Sequence, residues 1–357
     1  MQYLISENPV LKLTDVFAPR TAALPAPLDR SGTRFFGFAR AALYAGLQML
    51  GVRPGDNILL PAFICEVVMM PLLRLGVEAR FYELDQSLGV ILHSAKSLID
   101  ERTKALLAVN YFGFPQDLSK LRSFCDENNL YFVEDSAHGL LSCVGSRPLG
   151  TFGDISILSI RKTLPLPNGA ALIVNNTSLL ERKSEVVELP TTAPTNLARF
   201  ALRNGIRAIE RRTSIRLAAS LKGALGHTHH GLMAEPPSGG ASSDEATFDN
   251  PPLSRFAMYL LHRVDVEKIR GERRRAFMFW RDEVARSVDS AEPIFTDLPD
   301  GVVPFALPLV ARDYRKLQRD LYNIGVECRD YTTVPAGSPG WEYAERVVLV
   351  PLHYLGR

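Results

Sequence analysis

The sequence predicts an α/β protein, with a mainly parallel central sheet flanked by helices and a smaller C-terminal α+β unit. Three observations carry this. Short apolar runs alternate with helical patterns from about residue 35 to 175. Residues 176–249 then change character, with a basic helical stretch from Arg199 to Lys222 followed by the small-residue, acidic run PPSGGASSDEATFDNPP. After residue 250 come a long Arg-rich helical pattern and a final strand–helix–strand pattern. A length of 357 residues favours two domains over one core. The expected division is an N-terminal segment 1–34, a large domain 35–249 with a flexible insertion at about 223–249, and a long helix with a small domain at 250–357.

Taken in order, Arg40 to Leu50 reads as a helix stopped by Gly51, and Pro54-Gly55-Asp56 as a turn. Asn57 to Leu60 is a short buried strand, Glu66 to Leu75 a helix ended by Gly76, and Glu78 to Tyr82 the next strand. Ala105 to Tyr111 and Leu130 to Val133 are strands flanking a helix at Leu118 to Asn128. Ile155 to Ile160 is a strand that ends just before Arg161-Lys162, and Ala170 to Val174 is another. Leu253 to Ser287 reads as one helical stretch, followed by a strand at Val303 to Val310, a helix at Tyr314 to Gly325 and a strand at Val347 to Pro351.

Composition excludes several classes. With 46% apolar and 22% charged residues the chain is globular rather than disordered. A net charge of +2 leaves no basic surplus for nucleic-acid phosphates. The most apolar stretch, Ile58 to Leu73, holds Glu66 and two prolines and is too short to span a bilayer. Cys65, Cys125, Cys143 and Cys328 form no C-x-x-C pair and no zinc-spaced cluster, which suits reduced thiols. The start, MQYLISENPVLKLTDVFAPR, lacks the pattern of a signal peptide, so a cytoplasmic location is expected. His227, His229 and His230 read as a loop rather than a metal site, and Arg273 to Arg275 as a solvated helix face with one member free to meet an acidic substrate.

In a parallel sheet, ligands bind beyond the carboxyl ends of the strands, so polar residues there draw attention. Asp135 closes the strand LYFV, and Lys162 follows ISILSI. Alone, each reads most simply as a capping acid or a solvated lysine. Together they suit pyridoxal phosphate (PLP), which needs an amine at its aldehyde carbon and a carboxylate to keep its ring nitrogen protonated. Gly37 to Leu43 places small residues at a helix start, where main-chain N–H groups bind anions. Ser159 can add a hydroxyl.

Six segments, in order, resemble the DegT/DnrJ/EryC1/StrS aminotransferases, which are fold-type-I PLP enzymes acting mostly on nucleotide-linked keto sugars. They are AALYAGLQMLGVRPGDNILLPAF, Thr103 to Gly113, Glu134-Asp135-Ser136-Ala137-His138, Gly153 to Lys162, Asn250 to Ser254 with the Arg-rich helix, and Val350-Pro351-Leu352-His353. The resemblance implies that Lys162 carries the cofactor, that Asp135 pairs with the ring nitrogen and that His138 sits near the ring hydroxyl or edge. It implies that Ala39, Arg40 and Ser159 meet the phosphate and that Asn250 reaches the phosphate of a neighbouring subunit in a homodimer. The ring-stacking position falls on Cys65, with Phe63 two residues earlier as the alternative. The implied reaction transfers an amino group from an amino acid, with glutamate as the expected donor, to a keto sugar on a nucleotide carrier.

The chain also departs from the family pattern. Phe38-Ala39-Arg40 replaces "S-G-T", three residues rather than five separate Ser159 from Lys162, Pro167-Asn168-Gly169-Ala170 replaces "GEGG", and Pro252 replaces an arginine. These changes bear more on the substrate than on the cofactor. They keep open a PLP lyase or dehydratase, an aminotransferase for a non-sugar substrate, and a binding protein that has lost catalysis.

Overall fold

The computed structural model describes residues 9–21, 23–181, 200–202, 204–206, 252–324, 326, 329–331, 334–335 and 337–352. The insertion at about 223–249, the three-histidine run and Asn250 lie outside them. The strands are β1 (Thr33–Phe36), β2 (Asn57–Pro61), β3 (Glu78–Tyr82), β4 (Thr103–Val109), β5 (Tyr131–Asp135), β6 (Cys143–Val144), β7 (Arg147–Pro148), β8 (Ile155–Leu158), β9 (Ala170–Val174), β10 (Ala291–Pro293), β11 (Ala306–Ala311), β12 (Arg329–Asp330) and β13 (Val347–Pro351). The helices used below are α1 (Leu13–Val16), α2 (Ala39–Leu50), α3 (Met69–Leu75), α4 (Leu92–Ser97), α5 (Leu118–Glu127), α6 (Ile160–Thr163), α7 (Arg255–Leu261), α8 (Val266–Ser287) and α9 (Tyr314–Asn323).

Seven strands form the central sheet in the order β1-β9-β8-β5-β4-β2-β3. The pairs from β3 through β8 are all parallel, and β9 alone runs against its neighbours β8 and β1. The mainly parallel sheet expected from the alternating pattern is therefore present. The edge strand β1 carried no clear signal, because its four residues stand outside that alternation. β9 reverses because only the one-turn helix α6 separates it from β8, too little chain for a parallel crossover.

Helix α2 is made of strong helix formers, and Gly51 ends it in the left-handed region at φ 75°. It lies close against β8 and β9. A Cβ at Gly46 would come within 2.6 Å of the Ile155 side chain, so glycine permits this approach. The packing sets the start of α2 beside the carboxyl ends of β8 and β5. Gly169 reinforces the arrangement by donating its N–H to the Gly37 carbonyl at 2.9 Å.

The second sheet has the order β10-β11-β13-β12 and is antiparallel throughout. Strand β10 and the two-residue β12 were too short to read from sequence. The single helical stretch expected from Leu253 to Ser287 is instead two helices. Asp265 caps α8 by accepting from the Lys268 N–H, which breaks the run after α7. Trp280, Phe277, Ala276 and Val284 bury one face of α8. The segment before β11 crosses the loops of the central sheet, with Phe305 N–H donating to the Phe112 carbonyl at 2.7 Å and Val303 N–H to Ser142 Oγ at 2.9 Å. Among the described residues no helix is long and apolar enough to cross a membrane.

Candidate active site

The carboxyl ends of β4, β5 and β8 lie side by side, with Val109 paired to Asp135 and Asp135 to Ile157. Adjacent residues on a strand face opposite sides of the sheet. Asp135 consequently faces a pocket, while Glu134 turns to the other face. Asp135 is buried, and Oδ1 accepts the Ala137 N–H at 2.9 Å. Burial pushes its carboxyl up to about 6, opposed by that N–H and by the nearby Lys162 amine.

The chain turns after β5, with Gly139 N–H bonded to the Ser136 carbonyl, and this turn presents His138. Its imidazole lies parallel to the Phe305 ring at 4.5 Å and to the Phe112 ring at 5.7 Å. His138 Nε2 sits 3.0 Å from Lys162 Nζ. Lys162 is on α6, not in an extended segment after a strand. Ser159 is the N-cap of that turn, so a spacing of three sets Ser159 and Lys162 on one face. The short Ser–Lys interval thus still brings both to the same pocket.

That pocket encloses about 870 Å³ of empty space, its open mouth included. Ala39, Arg40, Cys65, Asp135, His138, Ser159 and Lys162 all line it. Of the site residues picked from the sequence and present in the described chain, all but the alternative Phe63 are therefore gathered in one place. Of the two stacking candidates, only Cys65 faces the pocket. Phe63 is buried in the core against Tyr111 and Trp341, with ring centroids 5.8 and 5.2 Å away. The chain leaves strand geometry after Pro61, and Cys65 begins a tight turn at Glu66–Val68.

Arg161, Tyr111 and Tyr331 also line the pocket but were not singled out from sequence. Arg161 and Arg40 approach the same Phe38 ring, at 5.7 and 4.7 Å, which concentrates positive charge beside Ser159. The dipeptide Arg161-Lys162 was a usable signal for this. Tyr331 comes from the second sheet, edge-on to Phe112 at 5.3 Å and to His138 at 5.9 Å, and nothing in its local sequence marks it. Arg273 does not sit on a solvated face: it is buried, with its guanidinium against main-chain carbonyls. Among the described residues no cluster of His, Cys, Asp or Glu is arranged to hold a metal ion.

The profile of the DegT/DnrJ/EryC1/StrS aminotransferase family matches residues 37–193, a span that contains Asp135, His138 and Lys162. Residues 37–193, under half of the 357-residue chain, are what it shares with this family. Among curated members, it is 30% identical over 169 residues to the GDP-perosamine synthase of Vibrio cholerae, covering 43% of this chain and 46% of that one. It is also 30% identical over 148 residues to a dTDP-4-dehydro-2,3,6-trideoxy-D-glucose 4-aminotransferase of Saccharopolyspora spinosa, covering 40% and 38%. The matches thus span less than half of these relatives' own length. The likeness in fold extends further. The structure of the sugar aminotransferase CalS13 from Micromonospora echinospora superposes with a TM-score of 0.64 at 19% identity, over 99% of this chain and 96% of that one.

Proposed function

We propose that this chain is a PLP-dependent aminotransferase that passes an amino group from an amino acid, with glutamate as the donor, to a keto sugar on a nucleotide carrier. The observation that carries the reading is the meeting of Lys162 Nζ and His138 Nε2 at 3.0 Å in the pocket that Asp135 also lines. The donor set fits PLP. A buried carboxylate raised to about 6 is matched by a protonated ring nitrogen, and Ser159, Arg40 and Arg161 at the start of α2 and α6 suit a phosphate. When bound, PLP supplies the electron sink that makes the hydrogen on the substrate's amine-bearing carbon acidic.

The protein's own groups do the rest. Asp135 would keep the ring nitrogen protonated. The Lys162 amine would hold the cofactor and, when free, would accept and return the proton of the substrate's amine-bearing carbon. His138 orients that amine, and its own ring is held flat between Phe305 and Phe112. Ile64, Val67 and Val68 give the pocket an apolar wall that limits water. Names of the curated relatives support a nucleotide-linked sugar as acceptor. We further propose a homodimer, with Asn250 of one subunit at the phosphate of the other, and a cytoplasmic location.

The test is the visible spectrum of the protein supplied with PLP, beside Lys162→Ala. A band that bleaches with glutamate and is missing in the variant supports aminotransfer through Lys162. A band unmoved by amino donors removes aminotransfer while keeping the cofactor. No band in the unaltered protein overturns the reading.

A further inference from the structure

Helix α8 carries three consecutive arginines, and Arg273 is only 2% exposed. Its Nη1 donates to the carbonyls of Pro304 and Phe305 at 3.1 and 3.2 Å. Its Nη2 donates to the carbonyls of Lys162 and Thr163 at 3.2 and 3.1 Å. Burial lowers its pKa to about 9, so the site holds a cation at a real desolvation cost. A planar fork with several fixed donors can bridge two chain segments in this way, which a single ammonium cannot.

Those same two segments meet again through side chains. The Phe305 ring lies flat on His138, and His138 bonds the Lys162 amine. The contacts close a circuit: Lys162 main chain, Arg273, Phe305 main chain, Phe305 ring, His138 ring, Lys162 amine. Loosening the main-chain side displaces the amine relative to the imidazole.

We infer that Arg273 is a positioning residue for Lys162, clamping the amine-bearing turn to the Phe305 segment so that amine and imidazole stay within hydrogen-bond distance. This rests on the reading of Lys162 as the cofactor's anchor. An error of about 1 Å in a reacting group lowers rates on the order of 100-fold, and that is the effect assigned to losing the clamp.

The experiment compares the unaltered protein with Arg273→Lys and Arg273→Ala. It measures the rate at which added PLP becomes attached to Lys162, trapped with borohydride and located by peptide mass, together with kcat and KM for glutamate. Circular dichroism establishes folding. The Lys variant is expected to fold and to attach PLP on the order of 100-fold more slowly. Its kcat should fall in parallel while KM for glutamate stays within a few-fold. Methylguanidinium added to Arg273→Ala should restore part of the attachment rate; if that variant does not fold, the Lys variant decides. Attachment and kcat at unaltered rates in Arg273→Lys, with or without a lower melting temperature, overturn the inference. Failure of the unaltered protein to attach PLP overturns the underlying cofactor reading instead.

Discussion

Glu134 Oε1 accepts the Gly150 N–H at 2.6 Å, tying the end of β5 to the loop that leads into β8. The carboxylate is fully buried and receives five further donors. They are Asn110 Nδ2, Ser136 Oγ, Ser156 Oγ and the N–H groups of Phe152 and Gly153. Glu134 therefore ties the turn after β5, which presents His138, to the loop before β8 and to β8 itself while facing away from the pocket. In Glu134→Gln, an amide NH₂ would oppose N–H donors, so we expect a loss of about 3 kcal/mol in urea unfolding. An unchanged unfolding midpoint would remove Glu134 from this role.

Asp135 makes the PLP-free protein pH-sensitive in a defined direction. Its folded pKa, about 6, lies above the usual carboxylate value, so between pH about 4 and 6 the folded state binds the proton more tightly than the unfolded state. Stability from this group is present at low pH and falls as pH rises through that window, by up to about 3 kcal/mol. Asp135→Asn should flatten this part of the urea-stability profile without PLP. PLP should stabilise the unaltered protein more than the variant, because only Asp135 gains a cationic partner.

His138→Phe keeps a flat ring between Phe305 and Phe112 but removes Nε2. The expected outcome is retained PLP attachment with kcat lower by about 10²- to 10⁴-fold. Stopped-flow absorbance of the half-reaction with glutamate reads this directly. Full activity would show that the imidazole serves packing alone.

Arg40 and Arg161 predict that the phosphate end of the cofactor is held by charge. Arg40→Ala should weaken PLP binding about 10- to 100-fold, the worth of a charge-assisted bond, while binding of phosphate-free pyridoxal should not change. Equal losses for both ligands would mean that the arginine supports the pocket rather than the phosphate.

Two cysteines should separate on alkylation. Burial pushes the Cys125 thiol up to about 12, so it should resist iodoacetamide at pH 8. Cys65 is half-buried on the pocket wall and should react, with PLP protecting it. Peptide mapping with and without PLP checks both; labelling of Cys65 unaffected by PLP would place the cofactor elsewhere.

The sequence by itself determined what depends on neighbours in the chain. Periodicity and Gly51 define α2, apolar runs define β2 and β5, and the linear order of Glu134-Asp135, His138 and Lys162 marks the site. Each of these signals sits within a few residues, where helix spacing, strand alternation and turn chemistry act.

Only the tertiary structure decided the rest. Asp135 was singled out from the sequence, but Glu134 had no role until the strand's alternation sent it to a buried hydrogen-bond hub and Asp135 to the pocket. Phe63 and Cys65 were interchangeable until the chain turned after Pro61. Arg273 read as a solvated charge because its partners, the carbonyls of Lys162 and Thr163, lie 111 and 110 residues away. Main-chain carbonyls are the same in every residue, so a side chain satisfied by them leaves no mark in the sequence; only folding brings donor and acceptor together.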